Sequence, residues 1–172
     1  MLNAVFKNKI ESIYFIRDDI IYYNESEADP IKMQQEKLEG EVRRDKTDKF
    51  YLGIALSLRE GKINLDQARE ILTKTFPGLD LSDLVDVAFV GESTHLKFSD
   101  MFVQIRRSGT DAKMRGYSCG TDKDRCGNYL KTLLHYEGNL VDVYKKLISQ
   151  DFIDNIYPLA DKIYKDYLYK GL

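Results

Sequence analysis

Between positions 101 and 115 the chain reads Met-Phe-Val-Gln-Ile-Arg-Arg-Ser-Gly-Thr-Asp-Ala-Lys-Met-Arg. A strand-like run delivers Arg106, a short polar turn carries Ser108, Gly109 and Thr110, and a second run brings back Arg115. These residue types suit a phosphate ester. The planar fork of an arginine matches two phosphate oxygens, and serine and threonine add hydroxyl donors. Glycine lets the backbone approach an anion, and a tight turn offers unpaired amides. The same residues also make an ordinary surface hairpin, in which Ser, Gly and Thr only form the turn and the arginines only pair with carboxylates. Residue types and spacing leave these two readings about even.

Arg106-x-Ser108-Gly109-Thr110-x-x-Lys113-x-Arg115 resembles the signature of the C-terminal domain of the α-D-phosphohexomutases, the phosphoglucomutase and phosphomannomutase family. The resemblance spans roughly Lys49 to Glu137. It implies an α+β, TATA-binding-protein-like domain: an about four-stranded, mainly antiparallel sheet with helices packed on one face, plus flanking N- and C-terminal helices. It also implies a role for five residues. Arg106, Ser108, Gly109 and Thr110, with Arg115 as a fifth, would hold the non-reacting phosphate of a hexose phosphate during intramolecular phosphoryl transfer at a phosphoserine in another domain. On this resemblance the chain is part of an isomerase, carries no catalytic residue of its own, is inactive alone, and has the remaining mutase domains as partners. Magnesium serves the full-length enzyme at a site outside this chain. The competing reading is a standalone, non-catalytic module that binds a phosphometabolite or another protein. A second rival, nucleic-acid binding on a TATA-binding-protein-like sheet, predicts a basic face and salt-sensitive binding, and the acidic balance of the chain speaks against it. Two positions depart from the family pattern. Arg107 stands where the family often has proline or another small or apolar residue, and Asp111-Ala112 replaces the common Glu-Pro.

The family's serine, magnesium and sugar-reading loops are not present intact. Asp122-Lys123-Asp124-Arg125 resembles the magnesium loop but lacks one aspartate and both glycines, and it falls where a helix should begin, so capping and dipole complementarity explain it. Gly91-Glu92-Ser93-Thr94-His95 is one residue short of the sugar-reading loop and sits between two strand-like runs, as a hairpin turn would. His95 and His135 have no sequence neighbours that would make a triad or a metal site. The tyrosines, among them Tyr22, Tyr157, Tyr164 and Tyr167, fit an interface or the edge of a helical core better than base stacking.

With 172 residues, 43% of them hydrophobic, the chain is long enough for one compact core. Its 26 basic and 28 acidic residues leave a formal net charge of -2, so no general attraction to nucleic acid or to a membrane surface is expected. Any anion must then be held by a local arrangement. Cys119 and Cys126 are too few for a disulfide framework and are read as reduced thiols. The opening residues lack the apolar run of a signal peptide or membrane span, which predicts a cytoplasmic protein.

Three segments are expected to position the phosphate loop: a helical, charged linker over 1–46, the domain proper over 47–138, and a helical extension over 139–172. Phe6 to Tyr23 mixes helical and strand-like spacing. Asp29 and Pro30 open a helix that is charged nearly all round and interrupted at Gly40, which predicts a solvated connector. Thr47 or Asp48 would cap a second helix over Lys49 to Arg59, and Asn64 a third ending near Phe76. Strands are predicted around 85–90, 96–98, 101–105 and 114–117. A helix capped by Thr121 or Asp122 would end near Glu137-Gly138, and two more would follow from Leu140 onward, with Pro158 as a kink or break.

Overall fold

The computed structural model of the chain describes residues 12–136 and 149–170. Its elements are β1 (Tyr14–Ile21), α1 (Pro30–Arg59), α2 (Leu65–Thr75), β2 (Asp86–Val90), β3 (Ser93–Lys97), β4 (Met101–Arg107), β5 (Lys113–Gly120), α3 (Lys123–Leu134), α4 (Gln150–Asp154) and α5 (Ile156–Lys170). The strands form one antiparallel sheet in the order β1-β5-β4-β3-β2. The architecture is α+β, as expected, but the sheet has five strands rather than about four. The fifth is β1. Its alternation sends Ile16 and Ile20 onto the core and Phe15, Arg17, Asp19 and Ile21 to the other face, and its full length pairs with β5.

Strand alternation divides the sheet. Val87, Leu96, Val103, Ile105 and Met114 lie beneath the helices, with α1 crossing β2 to β5 and α3 lying over β5 and β1. The opposite face is not covered by any described element. A two-residue turn joins β2 to β3, and Gly91 takes a positive φ of 62° there, as the first turn position of a type II′ hairpin requires. A hairpin is thus present as expected, but its turn is only Gly91-Glu92, and Ser93, Thr94 and His95 belong to β3.

The largest departure from expectation is α1, a single helix of 30 residues that runs through the expected boundary at 46/47. Asp29 does cap it, accepting from the amides of Ile31 (3.0 Å) and Lys32 (3.5 Å), with Pro30 in the first turn. Thr47 and Asp48, expected as caps, are instead buried in mid-helix. Gly40 does not interrupt. A Cβ there would lie 2.7 Å from the backbone oxygen of Tyr22 and 3.0 Å from the Cβ of Ala112, so glycine is what lets the helix lie against the end of β1 and the turn before β5. Gly40, Arg44, Thr47, Asp48 and Tyr51 form one buried stripe at helical spacing, and because it is mostly polar, hydrophobic periodicity misses it.

Other caps fall as expected. Asn64 and Gln67 form a capping box on α2, and Asp122 accepts from the amide of Arg125 at 3.1 Å to cap α3. Arg125 itself ties Asp83 (2.7 Å) and Asp100 together. Pro158 sits in the first turn of α5, where its missing amide hydrogen costs nothing, so of the expected kink or break it goes with the break between α4 and α5. The expected helix around Val143, Leu147 and Ile148, the helix end at Glu137-Gly138, and the N-terminal stretch through Ile10 lie outside the described residues.

Candidate functional site

The β4–β5 hairpin carries all five expected phosphate ligands, Arg106 and Arg115 on its strands and Ser108, Gly109 and Thr110 in its turn. Arg106 and Arg115 are direct cross-strand partners on the open face, while Arg107, the next residue along, points under the helices. Like charges placed opposite each other on a sheet repel. Asp19 relieves part of this, since its carboxylate takes the Arg115 Nε at 3.0 Å and lies 3.4 Å from Arg17. Partial burial works against the ionised Asp19, but the hydrogen bonds and charges of Arg115 and Arg17 outweigh it and hold its pKa below the usual value. Arg106 has no carboxylate within ion-pair distance among the described residues.

The turn between them is largely closed upon itself. Ser108 Oγ accepts from the amides of Thr110 (3.3 Å) and Asp111 (3.2 Å), and Asp111 Oδ1 accepts from Ala112 (2.8 Å). Ser108 N donates to the carbonyl of Lys113 and Lys113 N to that of Asp111. The turn amides expected to face an anion are therefore engaged, apart from that of Gly109. Gly109 and Thr110 stand exposed at the tip. Arg44, from the buried stripe of α1, holds the turn from behind, with Nη1 donating to the carbonyls of Ser108 (3.2 Å) and Asp111 (2.8 Å).

Behind the hairpin lies a cavity of about 360 Å³ bordered by Asp48, Phe89, Glu92, Arg107, Tyr157 and Tyr164, among others. Arg107 donates to Asp45 at 3.0 Å, approaches Asp48 at 3.7 Å, and stacks over the Tyr157 ring at 3.8 Å. Tyr157 donates to Asp48 at 2.8 Å. Burial pushes the Asp48 carboxyl up to about 6, against the pull of Tyr157 and Arg107, and burial raises Tyr157 as well. This cluster was not legible in the sequence. Its one signal was Arg107, the residue that departs from the family pattern. Asp48, Glu92 and Asp161 give the cavity wall an acidic cast, and Arg107 already has two carboxylate neighbours, so an added phosphate dianion would be repelled there.

The open face is different in kind. Besides Arg106 and Arg115 it presents Phe15, Arg17, Tyr117, Cys119, Phe102, Gln104, His95 and Lys97. Phe15 lies 5.5 Å from Tyr117 with the rings tilted by 32°, and His95 stacks at 5.9 Å on Phe102. His135 is not isolated; it bonds Asp18 at 2.9 Å on the helix side. Among the described residues no group of His, Cys, Asp and Glu could hold a metal ion, and no helix is long and apolar enough to cross a membrane. No protein-family model matches the chain, and no curated protein matches it.

Proposed function

We propose that the chain binds a phosphate ester on the open face of its sheet, at the Arg106–Arg115 pair. The observation that carries this reading is the placement of two guanidinium groups opposite each other across β4 and β5, with, among the described residues, a single carboxylate, Asp19, against Arg115 and none against Arg106. A bound anion would turn this repulsion into a chelate with charge-assisted hydrogen bonds from both sides. Ser108, on the same side of the hairpin, and Lys113 flank the pair, while Gly109 and Thr110 serve mainly to shape the turn.

In the fuller form of this proposal the fold is TATA-binding-protein-like and the chain is the phosphate-binding part of a phosphohexomutase. It would clamp the non-reacting phosphate of a hexose phosphate for chemistry performed, with magnesium, by other domains. The order strand, two helices, four-stranded meander, helix and the helix-covered single face support the fold assignment. The chain alone would have no mutase activity.

Titration with a hexose monophosphate and with inorganic phosphate, followed by NMR or calorimetry, tests the site. Arg106→Ala should remove hydrogen bonds to a charged ligand worth roughly 1.5 to 3 kcal/mol, a loss of affinity of about ten- to a hundredfold. Equal affinity in wild type and variant would defeat the assignment.

A further inference from the structure

The net charge of -2 hides an uneven distribution. On the open face the register gathers Arg17, Lys97, Arg106, Lys113 and Arg115 against only Asp19 and Asp86, an excess of three positive charges on an acidic chain. Lys97, Arg106 and Lys113 make no ion pair among the described residues. Between these cations lie four flat rings in two pairs, Phe15 with Tyr117 and His95 with Phe102, and Phe15 is 66% exposed. Gln104 stands between the pairs, within the row Tyr117, Gln104, His95. Burial together with the nearby Lys97 holds His95 below its usual pKa, which favours the uncharged ring.

We propose that this face is a docking platform for a single-stranded nucleic acid, whose backbone phosphates follow the cations and whose unpaired bases stack on the rings. Stacking needs bases that are not already paired, which favours a single strand over a duplex, and the rings offer room for on the order of three bases. The inference rests on Arg106 and Arg115 being a phosphate site, but changes what the phosphate belongs to. A sugar monophosphate would use only the hairpin end of the face. A strand uses its whole width.

Fluorescence anisotropy of a labelled, mixed-sequence RNA octamer against the full chain tests this, with the DNA counterpart and a duplex as further arms. The expected result is binding of a single strand with at least a tenfold preference over duplex. The logarithm of affinity should fall against the logarithm of salt with a slope of about -2, as three neutralised phosphates would give. Phe15→Ala and Phe102→Ala should each weaken it by roughly five- to a hundredfold, the range for loss of one stacked base. Lys131→Ala, an exposed charge on α3, should leave it unchanged. Cys119 lies on the platform between Phe15 and Phe102, whereas Cys126 is buried, so bound strand should slow alkylation of Cys119 by N-ethylmaleimide. Absence of strand binding, binding indifferent to both phenylalanine substitutions, or a dimer in sedimentation that occupies this face would overturn the proposal. If a hexose phosphate still binds in an Arg106-dependent way while neither octamer does, the platform alone falls. Strand binding that survives Arg106→Ala but is lost with Phe15→Ala sinks the phosphate site instead.

Discussion

Arg106 and Arg107 are neighbours in sequence with opposite fates, because successive side chains on a strand leave on opposite faces. Arg106 meets Arg115 in the open. Arg107 enters a buried cluster with Asp45, Asp48 and Tyr157, where Asp48 is the group most sensitive to pH. Its carboxyl is raised from 3.8 to about 6 by burial, so the folded state holds that proton more tightly than the unfolded chain does. The penalty for ionising it is absent below about pH 4, grows as pH rises, and is complete above about pH 6. It amounts to about 3 kcal/mol at most. Other carboxylates move the other way, notably Asp83, which the hydrogen bond from Arg125 holds at about 2. The informative quantity is therefore a difference. Asp48→Asn should gain stability relative to wild type between pH 4.5 and pH 7 in urea unfolding. A constant offset between the two proteins would show that Asp48 does not titrate in this range.

At the level of elements, α1 is the part that positions everything else. Its C-terminal half supplies Phe50, Tyr51, Ile54 and Leu56 to the core and Asp48 to the cavity, and Arg44, at the end of its N-terminal half, reaches behind the hairpin turn. Gly40→Ala should test this arrangement. Alanine favours an isolated helix by up to about 1 kcal/mol, yet the new Cβ would sit 2.7 Å from the Tyr22 carbonyl oxygen, and overpacking against backbone costs typically about 1 to 3 kcal/mol. A net loss of stability is expected on thermal unfolding, and a rise in Tm would contradict the close approach. Arg44→Met should keep the apolar stem and remove the donor, leaving the Ser108 carbonyl without its partner and the Asp111 carbonyl with only the amide of Lys113. Faster hydrogen exchange at the amides of Thr110 to Lys113 would register the loosened turn.

For the molecule as a whole, the sheet separates two chemistries. One face carries the helices, the core and an acidic cavity closed by α5; the other is a basic and aromatic surface. Tyr157→Phe should lower stability by about 1 to 2 kcal/mol by removing the donor to Asp48, while phosphate-ester affinity at Arg106 stays as in wild type. Paired measurements of unfolding and titration check that independence. Much of the scaffold could be read locally. Alternation marked β2 to β5, side chains of Asp29, Asn64 and Asp122 marked three helix starts, and Gly91 marked a hairpin, because each depends on residues only a few positions apart. The residues of the candidate phosphate site were also named from their types and spacing. What the chain did not reveal locally is how they divide: Arg106 and Arg115 onto a common open face, and the turn amides onto Ser108 and Asp111. The continuity of α1, the fifth strand and the Asp48 cluster likewise come from contacts between segments far apart in sequence. Polar groups such as Arg44, Thr47 and Asp48 are buried only because those distant segments supply their hydrogen bonds, and periodicity, which counts apolar residues, has no term for them.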